Sequence, residues 1–460
     1  MKKINFCFGL HNHQPVGNFD FVFEHAYEKS YQPLLEMFYR YPEFKVTMHY
    51  TGPLLLWVEN NHPEHFKMLN EMVERGQVEL LSGGFYEPLL SVIPETDAKQ
   101  QILKQNAYLE KNFKYTPKGI WMAERIWEPH LPYIMQDANV DFTILDDTHF
   151  KYAGIKADQL QYHFVTEDEG KSVRVFPIDK NLRYTIPFQK PEVTIEYLKS
   201  IASDDKDVVV VFADDGEKFG VWPGTYKQVF EEKWLEDFIR LVLENSDWIN
   251  QMHFQEATTQ LKPKGPVYLP LASYAEMMEW TLPTESFKEY VGFEHYLQDQ
   301  KVYDQYEIFV RGGYWRNFLT KYPESNNMHK KMGYISRKID ELIEKNPDAD
   351  HQSLLEAKDH VWASQCNCGY WHGVFGGLYL NHLRNAIYKN LIQAEKLIEK
   401  FQHANNLPID AFVVFDFNMD GQDELLIESD VFNLYFTPGS GAMLYELDYK
   451  PKEMNLLDTF

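Results

Sequence analysis

The sequence predicts an α/β fold whose mostly parallel sheet closes as a barrel, and three observations carry that reading. Short apolar, β-branched runs recur at 4–10, 45–50, 77–81, 119–122, 141–145, 173–177, 208–213 and 251–255. Helical patterns lie between most of them, as at 32–41 and 65–75. Strand and helix alternation over about 260 residues argues for a parallel sheet. Strand ends that return roughly every 20–45 residues suit a barrel better than an open sheet.

The residues after each run share a character. The first run ends in His11 and His13, and the third in Gly83-Gly84-Phe85-Tyr86-Glu87-Pro88. The fourth ends in Glu124 and Arg125, and the fifth in Asp146 and Asp147, read as loop and helix-cap residues. The all-valine stretch 208–211 runs on into Asp214, Asp215 and Glu217, with Trp222 close behind. In a parallel barrel such ends meet on one face, where the chemistry sits.

Beyond residue 303 the pattern changes. Residues 330–345 read as a helix, and Leu383, Ile387, Leu391, Ala394, Ile398 and Phe401 line one helical face. After the break at 405–408, runs at 411–417, 424–428, 431–437 and 442–448 read as strands in hairpin succession. The expected division is 1–304 barrel, 305–405 helical bundle and 406–460 β-strand domain. The last part is short for an all-β domain, so the chain is expected to be a fragment of a longer one.

Composition narrows the function. The 460 residues are 44% hydrophobic and 15% aromatic, ample for a core, and carry a formal charge of −24. That charge argues against nucleic acid or an anionic membrane as partner and suits a neutral substrate. Aromatic rings offer flat faces for sugars. Three cysteines, Cys7, Cys366 and Cys368, make no disulfide framework. Cys366-Asn367-Cys368 is CxC without a matching pair, so buried thiols rather than a zinc site are expected. No apolar run approaches ~18 residues, and the start lacks a signal-peptide pattern. A cytoplasmic location is expected.

Two carboxylates on facing strand ends are what glycoside chemistry needs, one to attack the anomeric carbon and one to protonate the departing oxygen. Glu124 closes an apolar strand beside Arg125, which would keep it ionised. Asp215 lies among like charges that raise a pKa, as a general acid requires. A surface ion pair and an acidic helix N-terminus are the plainer readings. His11 and His13 alternate and point to one side of an extended segment. They fit a sugar contact, a structural pair, or a His-x-His metal centre of the metallohydrolase or deacetylase kind.

His11-Asn12-His13-Gln14-Pro15, the segment 83–88, Trp121–Arg125, the segment 214–220 and Tyr370-Trp371-His372-Gly373 occur in that order. Together they resemble the five motifs of glycoside hydrolase family 57, in particular its 4-α-glucanotransferases and α-amylases. The resemblance implies an incomplete seven-stranded TIM-like (β/α)7 barrel, a helical bundle and the start of a β-sandwich domain. It implies a retaining mechanism on α-1,4-glucans or maltooligosaccharides with no cofactor required for catalysis. By motif position the nucleophile falls on Glu124 and the general acid/base on Asp215 rather than Asp214. His11, His13, Trp121, Trp222 and Trp371 become substrate contacts, and Asp214, Glu217, Glu87, Glu79 and His372 join them as candidates. Transfer is favoured over α-amylase-type hydrolysis. The further alternatives are a metal-dependent barrel hydrolase and a glycan-binding protein without activity.

One motif stands apart. Asp416, Asn418 and Asp420 alternate before Gly421, with Glu424 following, like the start of a calcium loop. Its twelfth position is Ile427 rather than Glu. A structural calcium and an ordinary hairpin turn are the two readings. Oligomeric state is not legible in the sequence.

Overall fold

The computed structural model describes residues 2–409 and 411–458. Its α/β core is built around β1 (Ile4–Asn12), a strand buried along its whole length. β1 runs parallel to β2 (Val46–Tyr50) through residues 9–12 and to β8 (Val209–Asp215) through residues 5–11. A strand has two edges, so β9 (Ile249–Gln251), which pairs with residues 4–6, shares the β2 edge at its beginning. β3 (Val78–Leu80) continues this sheet beyond β2.

A second sheet holds β4 (Gly119–Trp121), β5 (Phe142–Asp146) and β7 (Lys171–Ile178) in parallel. β6 (Phe164–Asp168) pairs antiparallel with β7. Glu169 and Gly170 both have positive φ, 47° and 80°, the backbone of a two-residue hairpin turn. The two sheets meet at two seams. Ser82 bridges Ile120, with its N–H 2.8 Å from the Gly119 carbonyl. At the other seam the Asp179 N–H donates to the Val211 carbonyl at 2.8 Å.

Helices dominate from Ala275–Trp280 and Thr284–Asp299 onward. Pro323–Lys345, Gln352–Ser364 and Asn381–Ala404 are the longest of the later ones. The face of Leu383, Ile387, Leu391, Ala394, Ile398 and Phe401 is buried throughout, as its spacing requires. A buried polar knot fixes these helices to the core: Lys358 Nζ lies 2.7 Å from Asp97 Oδ1, and Ser336 Oγ donates to Asp97 Oδ2 at 2.6 Å. The C-terminal strands β10 (Phe412–Phe415), β11 (Glu424–Glu428), β12 (Phe432–Thr437), β13 (Met443–Tyr449) and β14 (Met454–Asn455) form one antiparallel meander. Lys331 of the long helix is buried between Glu395, Glu446 and Asp448, joining helices and meander.

Two readings of runs change. The run 251–255 is not a strand, because His253 caps the helix Phe254–Gln260 that begins inside it. β6 has no counterpart among the predicted runs.

Among the described residues no helix is long and apolar enough to cross a membrane.

Candidate active site

β1, β4 and β8 carry the predicted carboxylates and histidines to one place. β8 is a buried valine strand that ends at Asp215 in register with His11. The turn Gly216–Phe219 then presses onto β1: a Cβ at Gly216 would lie 2.1 Å from Asn12 Oδ1. This swings Glu217 back to the end of β1, where its Oε1 accepts the His13 N–H at 2.9 Å and the Tyr31 hydroxyl proton. Asp214 turns the other way, to Lys218 Nζ at 2.6 Å and Arg183 Nε at 3.6 Å.

Glu124 lies three residues past the end of β4, in the turn Ala123–Arg125. Glu124 and Arg125 both take left-handed backbone, φ 51° and 47°, which costs a side-chain-bearing residue energy and concentrates at functional sites. The surroundings hold that shape. Ser273 Oγ donates to the Glu124 carbonyl at 2.6 Å, and the Tyr274 hydroxyl donates to Glu124 Oε2 at 2.7 Å. Arg125 does not form a surface pair with its neighbour. It is buried, lies 3.1 Å from Asp146 Oδ2 and stands over the Tyr274 ring at 4.5 Å.

The electrostatics divide the carboxyls. Burial, then Asp214 and Glu124, push Asp215 up to about 6, against the pull of Arg125 and Arg183. This matches the sequence reading, with burial as the larger cause. Glu124 differs from it. Burial raises its pKa in spite of Arg125, the Tyr274 hydrogen bond and Arg183. Burial also opposes the ionised form of Asp214, but Lys218, Arg183 and Arg125 outweigh it and hold that carboxyl below its usual range. Burial and then Asp215 lift Glu217 to about 8, and burial lifts Glu87 well above the usual range. At neutral pH Glu217 therefore mostly holds its proton and Asp214 is ionised. Glu124 is among the charges that raise Asp215, an arrangement that suits a proton-holding acid near a nucleophile.

Around them His11 stacks on the Trp121 indole at 4.8 Å and 9°. His11 Nδ1 lies 2.8 Å from His49 Nδ1, and its Nε2 lies 3.4 Å from Glu87 Oε1. Burial lowers the pKa of His11 and takes His13 to about 4, so both rings are neutral. His13 Nε2 turns instead to Cys368 Sγ, 3.1 Å away. The two histidines thus fall in different side-chain groups, which does not favour the His-x-His metal reading. Gly83 is required by close approach, since a Cβ there would sit 2.3 Å from His49 Nε2. Glu87 is locked at φ 57°, its carbonyl accepting both the Asn367 N–H at 3.1 Å and its side-chain amide at 2.8 Å. Asn367 Oδ1 in turn accepts the Trp371 indole N–H at 2.8 Å, and Trp371 stacks on Trp280. Trp222 is half-buried between Phe188 and Phe375.

Three sets of candidate residues are engaged in other contacts. Glu79 is engaged elsewhere: its carboxylate accepts the Phe254 and Gln255 N–H groups, each at 2.9 Å, and the Thr47 hydroxyl at 2.7 Å, so it caps a helix. His372 serves its own loop, with Nδ1 2.9 Å from the Gly376 carbonyl and the ring edge-on to Tyr379. At Asp416, Asn418, Asp420 and Glu424, of the two readings open in the sequence, the contacts support the hairpin turn. Among the described residues their carboxylates form no converging group. Asp416 accepts the Asp420 and Gly421 N–H groups and Glu424 accepts those of Phe417 and Asn418, which makes the hairpin turn. The residues that sequence reasoning missed are Tyr31, His49, Arg183, Ser273 and Tyr274. Only His49, at the end of β2, carried the strand-end signal.

The glycosyl hydrolase family 57 model matches residues 7–270. The alpha-amylase/4-alpha-glucanotransferase middle-domain model matches 313–398, and the corresponding C-terminal model 416–460. The chain is 47% identical over 456 residues to alpha-amylase 1 of Dictyoglomus thermophilum, covering 99% of this chain and 64% of that protein. It is 45% identical over 458 residues to a 4-alpha-glucanotransferase of Thermococcus kodakarensis, covering 100% of this chain and 66% of that one. The chain thus spans 64% and 66% of the length of these curated relatives. The crystal structure of the 4-alpha-glucanotransferase from Thermococcus litoralis superposes with a TM-score of 0.92 at 43% identity, over 100% of this chain and 68% of that one. By sequence and by fold, the chain belongs to glycosyl hydrolase family 57.

Proposed function

We propose that this chain carries the catalytic site of a retaining enzyme on α-1,4-glucans, a 4-α-glucanotransferase. The observation that carries the reading is the pair Glu124 and Asp215, one just past the end of β4 and the other closing β8, with Glu124 among the charges that raise Asp215. In the first step the Asp215 proton passes to the glycosidic oxygen while a Glu124 carboxylate oxygen bonds to the anomeric carbon. The glycosidic bond breaks and a glucosyl ester forms. Asp215 then takes the proton of an acceptor hydroxyl, whose oxygen displaces Glu124 with a second inversion. A sugar acceptor gives transfer and water gives hydrolysis. Relatives bearing both names lie at similar identity, so α-amylase activity is the second reading. Neutral His11 and His13, Glu217 and the indoles of Trp222 and Trp371 are read as sugar contacts. Trp121 supports His11 from beneath. The substrate is an uncharged α-glucan or maltooligosaccharide.

Two parts of the reading concern architecture. The parallel strands β1, β2, β3, β4, β5, β7 and β8 are taken as an incomplete seven-stranded barrel, supported by the hydrogen bonds across both seams. The divisions 1–304, 305–405 and 406–460 are supported by where the three family models match.

Incubation with maltooligosaccharides and chromatography tests the function. Longer and shorter oligomers together mean transfer, and only shorter ones mean hydrolysis. Unchanged input with measurable affinity would leave a binding protein. A first product of inverted anomeric configuration would remove the retaining mechanism.

A further inference from the structure

We propose that Cys366, Cys368 and His13 form a binding site for a thiophilic cation of the zinc class. The CxC pair has no second pair in sequence, but the fold supplies the missing ligand from the other end of the chain. One ligand atom from each of the three residues falls in a group within 4.8 Å, and His13 Nε2 already lies 3.1 Å from Cys368 Sγ. Zinc bonds of about 2.3 Å to sulfur and 2.0–2.1 Å to nitrogen put tetrahedral neighbours roughly 3.5 Å apart. The turn Asn367–Gly369 builds the group: Asn367 is held by its two hydrogen bonds to the Glu87 carbonyl, with a thiol on either side. The other nitrogen of His13, Nδ1, is buried without a hydrogen-bond partner, so Nε2 is the atom with a preformed neighbour, a thiol.

The donor set selects the ion. Two thiols that lose their protons on binding and one neutral imidazole suit zinc rather than calcium or magnesium. The adjacent group His11, His49 and Glu87 offers only nitrogen and oxygen, so sulfur ligation distinguishes the two. Ligation also ties up His13 Nε2. The inhibition predicted from this rests on the sugar-binding reading of His13 above.

The test titrates the reduced full chain with Co2+ and then Zn2+. A thiolate-to-cobalt charge-transfer band should saturate at one equivalent and vanish as Zn2+ displaces the cobalt. Cys368→Ser and Cys366→Ser should each weaken zinc binding at least about tenfold, in the range that losing one ligand or its support costs. Cys7→Ser, in buried β1, should leave the band unchanged, and circular dichroism confirms that each variant is folded. Absence of the band, or a band unaltered in both the Cys366 and Cys368 variants, overturns the site. Zn2+ should inhibit oligosaccharide turnover in the parent chain but not in Cys368→Ser. A retained band without inhibition overturns the sugar-binding role of His13 and leaves the metal site standing.

Discussion

At Glu124 burial shifts the carboxyl more than its sequence neighbour does. Beside Arg125, Glu124 was expected to stay ionised, yet Arg125 is spent on Asp146 and the Tyr274 face, and burial wins. Glu124→Gln should abolish turnover while oligosaccharide still binds, measured by kinetics and calorimetry. Asp215→Asn should lower kcat by about 10²–10⁴-fold, the usual worth of a general acid. The same substitution should stabilise the protein at neutral pH. A raised carboxyl binds its proton more tightly when folded, so stability falls as pH rises from the unfolded value toward about 6. Removing the charge recovers on the order of 1–3 kcal/mol above that window, and thermal melts at pH 4 and pH 7 read the difference. Glu217, at about 8, already holds its proton at pH 7, so Glu217→Gln should retain most activity where Asp215→Asn does not. Arg183 pulls down both Asp215 and Glu124. Arg183→Met should therefore move both limbs of the kcat/KM profile to higher pH.

Elements were legible in proportion to how much of their signal is local. The buried valines of β8 and the helical face from Leu383 to Phe401 declare themselves by pattern alone. β6 did not, because Phe164-Val165-Thr166-Glu167-Asp168 is a half-exposed hairpin arm ending in acids. The run at 251 misled because apolar Met252 and Phe254 flank a helix cap. Glu79 was a candidate because it lies within the third predicted strand, a position that cannot tell a substrate face from a waiting helix N-terminus. Strand ends did announce Glu124, Asp215 and His11. Arg183 sits on the short helix Lys180–Thr185 and Tyr274 in a distant loop, so no spacing rule reaches them. The clamp between the loops 83–88 and 366–371 is an element of this long-range kind. Asn367→Ala removes one of two donors to the Glu87 carbonyl and the acceptor for Trp371, and leaves the buried indole N–H unpaired. We expect a cost of about 1–3 kcal/mol. We also expect a rise in KM larger than the fall in kcat, because Asn367 positions the site and touches no reacting atom.

At the scale of the whole molecule, the C-terminal meander is held by charge as well as by apolar contact. Lys331 Nζ lies 2.5 Å from Glu446 Oε1 and 3.4 Å from Glu395 Oε2, and also contacts Asp448, with all four side chains buried. A single cation facing three carboxyls cannot neutralise them all. Burial accordingly pushes Glu395 up to about 7 and Glu446 well above the usual range, with Lys331 pulling both back. Removing Lys331 as Lys331→Met leaves the acids unpaired in a dry interface, a loss of about 3–5 kcal/mol for a broken buried pair. The pH dependence identifies the cause. Without the cation the carboxyls titrate higher still, so the folded state binds more protons than the unfolded one between their ordinary pKa and the raised values. The stability of the variant then falls as pH rises through that window. The deficit against the parent chain should be largest at pH 8 and shrink toward pH 5, where protonation neutralises the acids. Scanning calorimetry at both values reads it. A deficit independent of pH would mean that Lys331 acts by packing its aliphatic stem, and that the meander docks without help from charge.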